Sequence, residues 1–333
     1  MKRGFKTPTY PNVADELRTA LQPDERGIRA SVPVFGSGLN IQAANIQGQT
    51  EDDWSGLLAR IAAAIGLSER VLEGLPLSNL ARWESLLRLW ARTKCVEPYK
   101  AENQLQKLAC EHLRNCEQTA AGWQLYREVT DARFLDIVSL NFDRRIALSS
   151  KQTGFVNAPA NCREGPQGET LYRHDRISHP SRSFTRVWYP HGDTKKFATL
   201  KLGVRRYGFH LVTLEESRRG FPDAWRVKRR EIMWDKPRIK NAPKWTDVFI
   251  SRPLVFIGCG LSLDEWALWW MIRTRAFVVA GDGKKETPKT IYVGVRKASS
   301  NDALGHILRQ HRITAIEFDS FDDLWKAVRL AIS

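Results

Sequence analysis

The sequence predicts an α/β fold: a mostly parallel, Rossmann-like sheet with helices on both faces and helical insertions at about 66–130 and 195–245. Three observations predict it. Short apolar runs at Ser31–Phe35, Phe134–Leu140, Leu254–Ile257 and Thr290–Val295 have the length and composition of buried strands. Segments with apolar residues at helical spacing alternate with such runs, which is how a parallel sheet covered on both sides is built. Several runs stop abruptly at Gly, Asn or His, as strands do before a turn.

Taken in order, residues 1–11 read as a loose basic arm and Asn12–Leu21 as a short helix. Ser31–Phe35 is a strand broken by Gly36-Ser37-Gly38. Thr50 to about Ile65 is helical, with Asp52 and Asp53 in the first turn, where carboxylates favour the helix dipole. Leu80–Ala91 repeats the pattern through Trp83, Leu86, Leu87 and Trp90, and further helices cover Glu102–Cys116 and Ala121–Thr130. Phe134–Leu140 is a central strand, followed at once by Asn141-Phe142-Asp143. Residues 151–184, rich in Gly, Pro, Asn and Ser, read as a loop. Arg186–Tyr189 is a short strand ending in Pro190-His191-Gly192-Asp193, and the basic stretch 195–245 reads as a helical insertion. Leu254–Ile257 is a strand turned by Gly258-Cys259-Gly260, before a helix from about Leu263 to Arg275. Strand Thr290–Val295, helix Asp302–His311, strand Ile313–Phe318 and helix Phe321–Ile332 close the chain.

At 333 residues and 42% hydrophobic content the chain reads as one domain over 1–333 with a sizeable core. It lacks a signal-peptide pattern and an apolar run of about 18 residues, so neither secretion nor a membrane span is expected. The cysteines Cys95, Cys110, Cys116, Cys162 and Cys259 form no C-x-x-C pair, which argues against structural zinc and a disulfide framework and for the cytoplasm. The net charge of +15 attracts polyanions, so nucleic acid is a candidate partner through the basic surface, although no nucleic-acid-binding motif accompanies the charge.

Ligands of open α/β sheets bind outside the carboxyl ends of the strands. Four strands end there in small or polar residues: Gly36-Ser37-Gly38, Asn141-Phe142-Asp143, His191-Gly192 and Gly258-Cys259-Gly260. Glycines after a strand let backbone approach a diphosphate, and a following helix adds free N–H groups. The same glycines also serve a plain tight turn, and Ile41 stands where the dinucleotide fingerprint wants its third glycine. Asn141 also suits a helix cap or turn, His191 a structural turn, and Gly258 and Gly260 close helix packing.

Taken together, these islands resemble the divergent sirtuin-like domains of prokaryotic anti-phage defence. Val34–Asn40 resembles the opening Gly-Ala-Gly loop, and Val138–Asp143 the strand ending in Thr-Asn-Tyr-Asp. Tyr189–Gly192 resembles the Leu-His-Gly segment, Val255–Asp264 the late Ile-Gly-x-Ser-Leu-x-Asp segment, and Ile313–Leu330 the closing strand and helix. The Pro-Asp-Phe-Arg segment and zinc cysteines of protein-deacylating sirtuins are absent, Ser37 replaces the middle alanine, and Gly294 stands where relatives often place Asn.

The resemblance implies an NAD+ hydrolase releasing nicotinamide and ADP-ribose, with NAD as substrate and no metal. It implies catalytic roles for Asn141 and His191, and cofactor contacts at Gly36, Ser37, Gly38, Asn40, Asp143, Gly258, Ser262 and Gly294. Asp193, beside His191, is a candidate for tuning the imidazole or for a turn. Such an enzyme needs restraint, so a homo-oligomer or a separate sensor protein is expected. The Trp83–Trp90 and Trp266–Trp270 stretches serve either as core or as an interface. Rival readings are a non-catalytic NAD- or ADP-ribose-binding module, a nucleic-acid-associated protein and a deacylase.

Overall fold

The structure, a computed structural model, describes residues 10–25, 27–46, 48, 54–67, 78–118, 123–158, 168–180, 183–218, 244–262, 264–281, 288–295 and 303–333. Most of the basic arm, Asp52, Asp53, Cys162, residues 219–243, Leu263 and Asp302 lie outside that set.

The first half of the chain forms α1 (Tyr10–Ala20), β1 (Val32–Phe35), α2 (Ser37–Asn45), α3 (Trp54–Ala64), α4 (Asn79–Lys94), α5 (Pro98–Gln118), α6 (Trp123–Asp131), β2 (Asp136–Ser139) and α7 (Arg145–Leu148). Next come β3 (Thr153–Val156), β4 (His174–Ser178), β5 (Phe184–Trp188), α8 (Val204–Arg218), α9 (Trp245–Ser251) and β6 (Leu254–Ile257). The chain ends with α10 (Trp266–Gly281), β7 (Thr290–Val295), α11 (Ala303–Gln310), β8 (Thr314–Phe318) and α12 (Phe321–Ile332).

The eight strands form one sheet in the order β3-β4-β5-β2-β1-β6-β7-β8. Pairing is parallel from β5 through β8, while β3–β4 and β4–β5 are antiparallel. Counted in chain order, the six parallel strands lie 3-2-1-4-5-6, the doubly wound order whose direction reverses beside its first strand. That reversal falls between β1 and β6, whose residues pair from Val32↔Leu254 to Phe35↔Ile257.

Alternation along the strands explains the two covered faces. Phe35, Val255 and Ile257 pack into one cluster with Leu17, Trp325 and Val328. Val32, Val34, Leu254 and Phe256 face the opposite cluster with Phe249 and Met271. α12 illustrates the sequence logic. Ser320 caps it by accepting from the Asp323 N–H, and Leu324, Trp325, Val328 and Ile332 form its buried stripe. A third cluster joins α3, α4 and α5 through Leu58, Trp83 and Leu105, and Phe142, just beyond β2, packs on its edge.

Two expectations need correction. Residues 151–184 are not simply a loop, because they contain the β3–β4 hairpin at the sheet edge. β3 is half-exposed and β4 buries a charge, Asp175, so neither shows an apolar run. Arg144 satisfies that carboxylate through two hydrogen bonds (2.9 and 2.5 Å), and the Tyr189 hydroxyl adds a third. The helix expected over Leu263–Arg275 begins at Trp266 and continues to Gly281, because Ala276-Phe277-Val278 contains no breaker. Trp83 is core, whereas Trp266 is 44% exposed. Among the described residues, no helix is long and apolar enough to cross a membrane.

Candidate active site

The loops after β1 and β6 touch through glycine. Gly36 leaves β1 in extended conformation and caps α2 without a side chain. Its N–H continues the ladder to Ile257 O (3.2 Å), and the Gly38 N–H donates to Gly258 O (3.0 Å). A Cβ on Gly36 would stand 2.7 Å from Gly258 O and 2.8 Å from Cys259 Cα, and one on Gly38 would stand 2.8 Å from Gly258 Cα. Gly258 itself has φ +62°, a left-handed backbone that favours glycine. These three glycines are therefore required by loop-on-loop packing before any ligand is considered. Ser37 remains exposed at the first turn of α2, where the helix dipole is positive.

Asn141 is anchored onto this junction. Its amide nitrogen donates to Gly36 O (3.1 Å) and Asn40 Oδ1 (3.2 Å), so both amide hydrogens are directed at the scaffold. The carbonyl acceptor at Gly36 fixes the orientation, since a flipped amide would set oxygen against oxygen. Asn40 Oδ1 also accepts from the Tyr126 hydroxyl (2.9 Å), and its nitrogen donates to Asp143 Oδ2 (2.6 Å). Asp143 Oδ1 accepts the Arg145 N–H (3.1 Å), at the start of α7. Asn40 and Asp143 are thus buried supports that fix where Asn141 points.

His191 sits in the same place. Its Nδ1 donates to Leu140 O (3.0 Å), the carbonyl just before Asn141. Gly192 makes this turn possible: φ is +92°, and a Cβ would lie 2.2 Å from Thr199 O. The other nitrogen, Nε2, lies 3.1 Å from Glu265 Oε2, which also accepts from the Tyr207 hydroxyl (3.2 Å). Phe142 and Tyr207 flank the imidazole, with ring centroids 6.1 and 5.8 Å away, and Trp54 stacks on Tyr207. Burial pulls the Glu265 carboxyl upward, but His191 and Tyr207 outweigh it and hold the group below its ordinary value. Burial and then Glu265 push the Tyr207 phenol well above its ordinary value, so it stays a donor.

Glu265 arrives through local chain geometry. Leu261 takes a left-handed φ of +43°, and the Glu265 N–H closes a turn on Ser262 O (3.1 Å). Ser262 is exposed, and its carbonyl also accepts from Trp269 Nε1 (3.0 Å). Gly294 lies on β7, which β1 and β6 separate from β2, the strand that leads into Asn141. It leaves room for the Tyr292 ring, which a Cβ would approach to 2.5 Å, and the Tyr292 hydroxyl donates to Cys259 O (3.1 Å).

The structure therefore brings Gly36, Gly38, Asn40, Asn141, Asp143, His191 and Gly258 into one junction at the carboxyl ends of β1, β2, β5 and β6. The suggestion that Asp193 tunes the imidazole is corrected. Asp193 is taken by Arg173 in a two-bond pair, each bond 2.9 Å, because the Gly192 turn sends the next side chain away. Sequence reading missed Glu265 and Tyr207. A carboxylate just past a strand-end glycine turn was the one available signal for Glu265. Tyr207 carried none, lying mid-helix in the stretch read as an insertion.

Among the described residues, no group of three or more His, Cys, Asp or Glu side chains is placed to hold a metal ion. No family model and no curated protein matches the chain.

Proposed function

We propose that this chain is an NAD+ hydrolase that cleaves the nicotinamide–ribose bond to give nicotinamide and ADP-ribose. One observation carries the reading: Asn141 and His191, far apart in sequence, meet beside the glycine junction at the strand-order reversal, where doubly wound folds hold dinucleotides. Nicotinamide leaves NAD+ as a neutral base and needs no proton from an acid, so paired carboxylates flanking the bond are unnecessary. What the reaction needs is a held ribose, a positioned water and a proton acceptor. The exposed Ser37 end of α2 is the place for the diphosphate. Because Asn141 has committed both amide hydrogens, its carbonyl oxygen is the atom that meets a ribose hydroxyl or water.

The enzyme acts in the cytoplasm and is kept in check by self-assembly or a separate sensor protein, consistent with an NAD-depleting defence role. A second reading is a non-catalytic NAD- or ADP-ribose-binding module. It is favoured by the occupation of both Asn141 hydrogens and both His191 nitrogens by protein partners.

The test is nicotinamide release from NAD+ by the wild type, Asn141→Ala and His191→Ala. Each variant should lose at least about tenfold in rate, or about 1.4 kcal/mol of barrier. Binding with intact NAD+ after long incubation favours the second reading, and wild-type rates in both variants refute the site.

A further inference from the structure

Both ring nitrogens of His191 face acceptors. Leu140 O can only accept, so Nδ1 carries a proton. Nε2 faces a carboxylate oxygen at 3.1 Å, so a second proton lies between that pair. His191 and Tyr207 outweigh burial and hold the Glu265 carboxyl below its ordinary value, which favours the carboxylate. With Nδ1 on Leu140 O and Nε2 on Glu265 Oε2, neither ring nitrogen offers a lone pair to water. The carboxylate does. Oε2 is engaged by His191 and Tyr207, while Oε1 accepts no hydrogen bond among the described residues. The Glu265 side chain is also the more open of the two, 17% exposed against 4% for His191.

We propose that Glu265 is the catalytic base of this site, its Oε1 taking the proton of the attacking water, while His191 is the positioning residue that orients the carboxylate. This rests on the NAD+ hydrolase reading and reassigns the proton acceptor within it. The step balances. The water oxygen bonds to ribose C1′, the C1′–N bond breaks with its electron pair going to nicotinamide, and the water proton passes to Oε1 and then to solvent. Tyr207 stays protonated and steadies Oε2 throughout.

The experiment compares the full-length wild type with Glu265→Gln, Glu265→Asp and His191→Gln, each first checked by thermal melting. Glu265→Gln keeps the shape and removes the base. Its kcat should fall at least about a hundredfold, the lower range for a lost general base, with KM within about twofold. Azide, a nucleophile with no proton to lose, should restore cleavage to Glu265→Gln, giving an azido-ADP-ribose product, but not to His191→Gln. Glu265→Asp should retain intermediate activity. A kcat for Glu265→Gln within threefold of wild type, or azide rescue confined to His191→Gln, overturns the assignment. Nitrogen-15 spectra at pH 7, with His191 identified by its loss in His191→Gln, separate this from failure of the NAD+ reading. Protons on both His191 nitrogens support the carboxylate as the remaining acceptor even if the wild type leaves NAD+ intact, whereas a bare Nε2 overturns it.

Discussion

Gly36→Ala distinguishes a glycine required by folding from one kept only for phosphate. The new Cβ would sit 2.7 Å from Gly258 O and 2.8 Å from Cys259 Cα. Comfortable carbon contacts lie near 3.5 Å, so the two loops must part by about 0.7 Å. Both obstacles are backbone and cannot rotate away. Parting stretches the Gly38 N–H bond to Gly258 O, now 3.0 Å, beyond useful range. Losing that bond costs about 1 kcal/mol, and strain in a close-packed interior adds about 1–3 kcal/mol. At about 1.4 °C per kcal/mol for a chain of this size, the nucleotide-free melting temperature should fall by about 3–6 °C. Gly260→Ala is the control, because a Cβ there meets nothing within 4 Å. The assay is thermal unfolding of wild type, Gly36→Ala and Gly260→Ala without nucleotide. If Gly36→Ala melts with the other two, the loops are not in contact as described and the junction is wrong.

Other perturbations test the surrounding frame. Gly192→Ala places a Cβ 2.2 Å from Thr199 O at φ +92° and should lower the melting temperature more than Gly36→Ala does. An equal or smaller drop contradicts the tight turn at His191. Asp136→Asn strips the buried Arg186 of its two-bond partner (2.8 and 3.0 Å) and should cost about 3–5 kcal/mol in urea unfolding. A loss under about 1 kcal/mol argues that the pair is solvated. His174, buried against Trp188 with Nδ1 on Tyr172 O, is lowered by burial from 6.5 to about 4. Between those values the unfolded chain binds a proton that the folded chain refuses, so stability falls as pH drops from 6.5 to 4. The loss is about 3 kcal/mol in all. The urea midpoint should follow that slope, His174→Phe should flatten it, and an unchanged slope in the variant assigns the acid sensitivity elsewhere.

The elements legible in the sequence were those whose cause is local. Val32–Phe35 and Leu254–Ile257 are apolar throughout because both faces of a central parallel strand are covered, and the glycines that end them announce a turn. The helical stripe and Ser320 cap of α12 follow from spacing and chemistry within one segment. The β3–β4 hairpin stayed hidden because edge strands are half-wet and because Asp175 takes its partner, Arg144, from 31 residues earlier.

The same division runs through the site. Asn141, His191 and the glycines were visible as strand ends, but the side chains they meet were not. Asp193, two positions after His191, turns away to Arg173, while Glu265, 74 positions after that histidine, reaches the imidazole. By itself, the sequence determined which residues end strands, since periodicity and turn chemistry act over a few neighbours. Only the tertiary structure decided which ends meet, because strand order and register set distances between residues that share no local pattern.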